Sequence, residues 1–106
     1  KIYSKTAISV SSDVRLKEGI AKVDADRAIA FIRKLPVVTY SYIGEEDGQK
    51  HMGLIAQQVQ NADPQMAKLF VSKSSEGYLA VDYASLVCPL ILAVQRLSEE
   101  VERLKS

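Results

Sequence analysis

A hydroxyl and an amine stand five residues apart in the run Ser12-Asp13-Val14-Arg15-Leu16-Lys17. Serine and lysine can work together as nucleophile and base. An alkyl hydroxyl does not ionise near neutral pH, so a neutral amine has to take its proton. In general a lysine does so only where burial or nearby positive charge favours its uncharged form. Arg15 is such a neighbour, and Asp13 is the other charged group inside the run. Residues five apart sit about 140° apart around a helix and on opposite faces of a strand. The pair therefore needs a turn between its members, or a second chain. Read from the residues alone, the run is first of all a solvated charged turn, since serine and lysine are common on surfaces.

The other candidates carry less chemistry. None of Gly19, Gly44, Gly48, Gly53 and Gly77 falls in a phosphate-cradling G-x-G-x-x-G or P-loop pattern, so nucleotide binding has no support. His51 is the single histidine, and one histidine with scattered carboxylates makes a weak metal site or triad; no metal and no cofactor are expected. Glu45-Glu46 and Glu99-Glu100 fall in a loop and on a helix face, where solvation explains them. One cysteine, Cys88, excludes an intrachain disulfide and a multi-cysteine zinc site.

The elements that must position the pair can be read from spacing. Residues up to Ser11, with Ile8-Ser9-Val10 alternating, predict an extended segment. Asp24 and Asp26 ahead of Ala28, Ile29, Phe31, Ile32 and Leu35 predict a helix from Ala25 to Lys34, stopped by Pro36. Val37 to Tyr42 and His51 to Ile55 flank a polar glycine-bearing loop and predict a hairpin. Ala56 to Asn61 suits a short helix ending before Pro64. A second hairpin is expected from Leu69-Phe70-Val71 and Tyr78-Leu79-Ala80-Val81. In the last segment Val87, Leu90, Val94, Leu97, Val101 and Leu104 place valine at every a position and leucine at every d of a heptad. Pro89 marks its first turn or a kink. Glu100 at g and Lys105 at the following e fit pairing between parallel chains, whereas an amphipathic helix folded on its own core is the plainer reading.

Composition bounds the partners. The 106 residues carry 14 Lys+Arg against 13 Asp+Glu, with 47% hydrophobic residues, which predicts one small folded domain. Without a Lys/Arg cluster there is no electrostatic footprint for nucleic acid or an anionic membrane. No apolar run nears the roughly 18 residues that cross a bilayer, which predicts a soluble chain. A chain this short buries only about two-thirds of its unfolded surface, so self-association is an expected part of its stability.

Taken in order, Ser12-Asp13-x-Arg15-Leu16-Lys17, Leu35-Pro36-Val37 with Tyr40, His51-x-Gly53-Leu54-Ile55-Ala56-Gln57-Gln58-Val59 with Pro64, Val81-Asp82-Tyr83 and the closing Ala93-x-x-x-Leu97 helix resemble the intramolecular chaperone auto-processing domain. That domain ends phage endosialidase tailspikes, tail fibres and neck appendages, and a relative lies within the myelin regulatory factors. The resemblance implies an α+β fold of small antiparallel hairpins, short helices and a long C-terminal helix that forms a parallel trimeric coiled coil. Residues 1–11 would end an upstream β-structured fibre stem of the same polypeptide, and residues 12–106 would be the chaperone. It further implies a homotrimer that aligns the fibre in the host cytoplasm during virion assembly, then cuts itself off and is absent from the mature virion. Ser12 and Lys17 would be the self-cleaving dyad, supported by Asp13, Arg15, His51 and Gln57. The bond expected to break is Ser11–Ser12, because Ser12 reaches the preceding carbonyl through a five-membered ring. Cutting between Ser12 and Asp13 is the alternative and needs another nucleophile, such as water. A non-catalytic, permanent trimerisation module is the competing function.

Overall fold

The computed structural model describes residues 9–105, so the expected extended segment lies largely outside the described residues. Helix α1 spans Ala25–Arg33. The Asp24 carboxylate accepts the Arg27 backbone N–H, and Asp26 adds negative charge to the first turn, where the helix dipole favours it. The repeat Ala28, Phe31, Ile32, Leu35 points inward, with Ala28 and Phe31 buried. The helix stops one residue before the expected Lys34, which caps it ahead of Pro36.

Strands β1 (Val38–Tyr40) and β2 (His51–Gly53) pair antiparallel, Val38 opposite Gly53 and Tyr40 opposite His51. They are shorter than the runs that foretold them. The loop between them leaves the ladder through Gly44 and Gly48, both at positive φ, a conformation that glycine adopts without strain. Helix α2 (Ala56–Ala62) ends at Asp63, and Pro64 then opens a further short helix, α3 (Pro64–Ala67), that was not expected. Proline stops one helix and suits the first turn of the next, because its missing N–H would have been unpaired there.

Strands β3 (Val71–Lys73) and β4 (Leu79–Val81) make the second antiparallel hairpin. A one-turn 3-10 helix, Ala84–Leu86, whose Ser85 donates its N–H and hydroxyl to the Asp82 carboxylate, feeds directly into α4 (Val87–Lys105). Pro89 lies buried in the first turn of α4, so it starts the helix rather than kinking it. The architecture is thus α+β, with two separate two-stranded sheets.

One small core joins these pieces. Phe31 and Phe70 stack with ring centroids 5.6 Å apart, and Val59, Ala67 and Leu86 close around them. Helix α1 packs along α4, and Arg96 ties the two by a 2.8 Å bond to Asp26. The opposite stripe of α4 has no cover in the single chain: Val87, Leu90, Val94, Leu97, Val101 and Leu104 are all exposed. Glu100 pairs with Arg103 and Lys105 with Glu102 along the same helix, so the expected g and e charges have partners within one chain.

Candidate active site

The run Ser12–Lys17 is folded by a local turn. Asp13 caps a one-turn 3-10 helix, Val14–Leu16, with its carboxylate accepting the Arg15 backbone N–H at 2.9 Å. The Leu16 N–H bonds the Asp13 carbonyl at 3.0 Å, and the Lys17 N–H bonds the Val14 carbonyl at 3.1 Å. This reversal of direction supplies what five residues of helix or strand lack. Lys17 Nζ donates to Ser12 Oγ at 2.7 Å, within one chain, and both side chains are exposed. The contact lies within the hydrogen-bond reach that a proton transfer between a hydroxyl and an amine requires.

Arg15 does not serve as the free positive neighbour expected for Lys17. Its guanidinium forks onto Asp13, Nε to Oδ1 at 3.1 Å and Nη2 to Oδ2 at 2.8 Å. That bond holds the Asp13 carboxyl below the usual carboxylate range and raises the arginine in turn. The pair rigidifies the turn and nearly cancels its own charge.

Among the described residues, His51 and Gln57 are not hydrogen-bonded to the Ser12–Lys17 pair. Gln57 is exposed on α2. His51 Nε2 instead meets both oxygens of Glu45, at 3.0 and 3.1 Å, and its ring lies beside Tyr40 and Tyr42 at centroid distances of 5.6 and 5.0 Å. The His51 bond, reinforced by the Tyr42 backbone N–H, lowers the Glu45 carboxyl from its ordinary value. Tyr40 Oη lies 3.4 Å from Tyr42 Oη, and this contact leads the effects that push the Tyr40 phenol up to about 12. Tyr40 therefore stays protonated at neutral pH and can donate but not act as base.

Glu45 is the residue that sequence reasoning set aside as merely solvated. A usable signal was the hairpin register, which sets Tyr40 across from His51 and lets the loop return Glu45 toward the same ring. Tyr83 belongs to this neighbourhood too: its hydroxyl accepts the Leu54 N–H at 2.8 Å. Between the hairpins, Tyr40, Tyr42, Leu54, Ile55, Leu79 and Tyr83 line an open cleft of about 490 Å³. Among the described residues, no three His, Cys, Asp or Glu side chains gather as a metal site, and no helix is long and apolar enough to cross a membrane.

The chain is similar to three longer proteins. A probable tail fibre protein of Escherichia phage Phieco32 is 31% identical over 99% of this chain and 14% of its own length. Myelin regulatory factor homolog 1 of Caenorhabditis elegans is 33% identical over 91% of this chain and 11% of its own length. A long tail fibre protein of Enterobacteria phage K3 is 28% identical over 93% of this chain and 8% of its own length. The chain thus spans less than a sixth of each relative. The turn that joins Ser12 to Lys17, the first hairpin with its His51–Glu45 pair, and helices α1 to α3 all fall within residues 12–68, the stretch that matches the family described as chaperone of endosialidase, and the chain belongs to that family.

Proposed function

We propose that this chain is the self-releasing chaperone segment of a phage tail fibre, acting as a trimer and cutting its own backbone beside Ser12. The observation that carries this reading is the 2.7 Å contact between Ser12 Oγ and Lys17 Nζ, inside the residues that match the family. The tail fibre relatives support virion assembly as the setting, with two further copies and the fibre of the same polypeptide as partners. The exposed valine and leucine stripe of α4 supports a parallel three-helix seam, since an apolar stripe of that spacing is buried by association. On this reading residues 1–11 belong to the stem and residues 12–106 to the chaperone, which leaves the fibre after the cut.

The chemistry is an acyl shift followed by hydrolysis. With Lys17 in its uncharged amine form, Ser12 Oγ attacks the carbonyl carbon of Ser11 through a five-membered ring while the Lys17 nitrogen takes the hydroxyl proton and becomes an ammonium. The Ser11–Ser12 C–N bond breaks, Lys17 returns the proton to the departing Ser12 amine, and Ser11 is left as an ester on Ser12 Oγ. Water then hydrolyses the ester, which frees the Ser11 carboxylate and restores the hydroxyl. Asp13 and Arg15 hold the turn that sets the distance.

Mass spectrometry of the expressed chain tests this. The unaltered protein is expected to lose a fragment ending at Ser11, and Ser12→Ala is expected to stay whole while sedimenting as the same trimer. Normal cleavage of Ser12→Ala would remove Ser12 as nucleophile. A trimer of the unaltered chain that is never cut would leave the second reading, a permanent trimerisation module, which the same exposed stripe of α4 supports.

A further inference from the structure

We propose that the segment carrying Ser12 and Lys17 docks into the tyrosine-lined cleft of a neighbouring copy, so that each active site is completed by a second chain. This rests on the trimeric, self-processing reading above. Every described residue from Ser9 to Asp24 is exposed in the single chain. Such an arm is ordinary when polar, but this one carries Val10, Val14, Leu16, Ile20 and Val23, each more than half exposed, with Leu16 at 75%. Val23 lies at the base beside α4, and the other four aliphatic side chains, on the unsupported part of the arm, call for an apolar partner surface. The Ser12–Lys17 pair likewise lies open to bulk water, whereas a lysine base needs burial or nearby positive charge to favour its uncharged form.

The cleft between the hairpins has the matching surface. It is open, about 490 Å³, with aliphatic and tyrosine walls, and the arm of its own chain leaves it uncovered. Its Tyr42 end runs into the loop bearing Glu45, Glu46 and Asp47 against Lys50, a net negative stretch, while the arm, with Arg15 and Asp13 offsetting each other, brings Lys17 and Lys22 against Glu18, a net positive one. The charges of loop and arm are complementary. The cleft also borders the His51–Glu45 pair, which makes no hydrogen bond to the dyad inside one chain among the described residues but would stand close to a dyad docked from another.

A second copy is within reach as the occupant, and the arm leaves the cleft of its own chain uncovered. The base of the arm is fixed beside α4, where Lys22 and Val23 share a groove with Ile91 and Gln95. Ile91 adjoins the seam residues Leu90 and Val94, so the arm starts next to the expected trimer axis. From Val23 back to Lys17, where the folded turn is reached, the chain spans at most about 22 Å when extended. Packed helices stand about 8–10 Å apart. A neighbour is therefore well within range.

Two measurements on the full chain decide the matter. In a Cys88→Ser background, chains with Ser12→Ala and Leu16→Cys are mixed with differently tagged chains carrying Leu79→Cys, and oxidised gently. Covalent pairs joining the two tags are expected on denaturing gels; trimers that persist without such pairs would overturn the docking. Second, Ile55→Arg, which blocks the cleft at an exposed wall, should slow cleavage of its homotrimer by about a hundredfold. Mixed with Ser12→Ala chains, whose clefts are intact, the Ile55→Arg chain should be cut again while Ser12→Ala stays whole. Absence of that rescue, or normal cleavage in the Ile55→Arg homotrimer, would overturn the proposal. Failure of the unaltered chain to cut at all would refute the processing reading instead, and the cross-link would still decide whether the arm docks.

Discussion

Lys17 and Gly53 show how much depends on single atoms. Lys17→Arg keeps the charge and most of the length of the side chain, yet a guanidinium does not give up its proton near neutral pH. Cleavage is expected to fail in that variant as completely as in Ser12→Ala, measured by the mass of the product. Wild-type cleavage in Lys17→Arg would mean that another group takes the proton. Gly53 is buried opposite Val38 in the first hairpin, and a Cβ there would stand 2.6 Å from the Tyr83 hydroxyl and 3.3 Å from that of Tyr40. Gly53→Ala must therefore push Tyr83 aside and strip the Leu54 N–H of its acceptor. The expected cost is about 1–3 kcal/mol, read as a lower melting temperature, with part of the loss recovered in the Gly53→Ala, Tyr83→Phe double variant. Gly53 reads from sequence only as a glycine within the second strand of the hairpin, because the tyrosine hydroxyl that excludes a side chain arrives from thirty residues downstream.

At the level of elements, Asp63 joins helices that sequence reasoning treated as one element and a loop. Its carboxylate takes both Arg27 Nε and Nη2 at 2.8 Å, and it caps α3 through the N–H groups of Gln65 and Met66. Arg27 above all, then the Met66 N–H, holds the Asp63 carboxyl well below the usual carboxylate range. A carboxyl whose folded pKa is depressed contributes stability that is fully present above its unfolded value, about pH 4, and is lost as pH falls through and below it. Asp63→Asn is thus expected to melt lower than the unaltered chain at pH 7, with the gap closing toward pH 2. A gap that stays constant across that range would show that the carboxylate charge is not what ties α1 to α3. The helix pattern of α1 and the stop at Pro64 were legible because caps and prolines act locally. Helix α3 was not, since four residues carry too little periodicity to be read.

The whole molecule is extended and lightly cored. Its radius of gyration is 17.0 Å, against about 13 Å for a compact domain of 100 residues. Large side chains are left outside: Leu97 is 64% exposed and Leu104 is 78% exposed on α4. Leu97→Asp would gather three carboxylates around one axis in a parallel trimer, where like charges in a dry seam cost several kcal/mol. Sedimentation should then find monomers, and electrophoresis of the same sample should find the chain uncut, because each arm has lost its neighbour's cleft. Monomers that cut at the normal rate would show a site complete within one chain. The α+β class, helix α1 to within a residue, both hairpins and the apolar stripe of α4 could be read from residue order, because capping, alternation and heptad spacing are local properties of the chain. The ordered motifs likewise single out Ser12 and Lys17, whose side chains the fold brings to 2.7 Å. Contacts across the chain needed the fold: the 3-10 turn that brings the amine onto the hydroxyl, Asp13 claiming Arg15, Glu45 returning to His51, and the lack of any hydrogen bond from His51 or Gln57 to the dyad among the described residues. Each depends on where loops and hairpins return the backbone, and side-chain partners distant in sequence leave no periodic trace by which to read them.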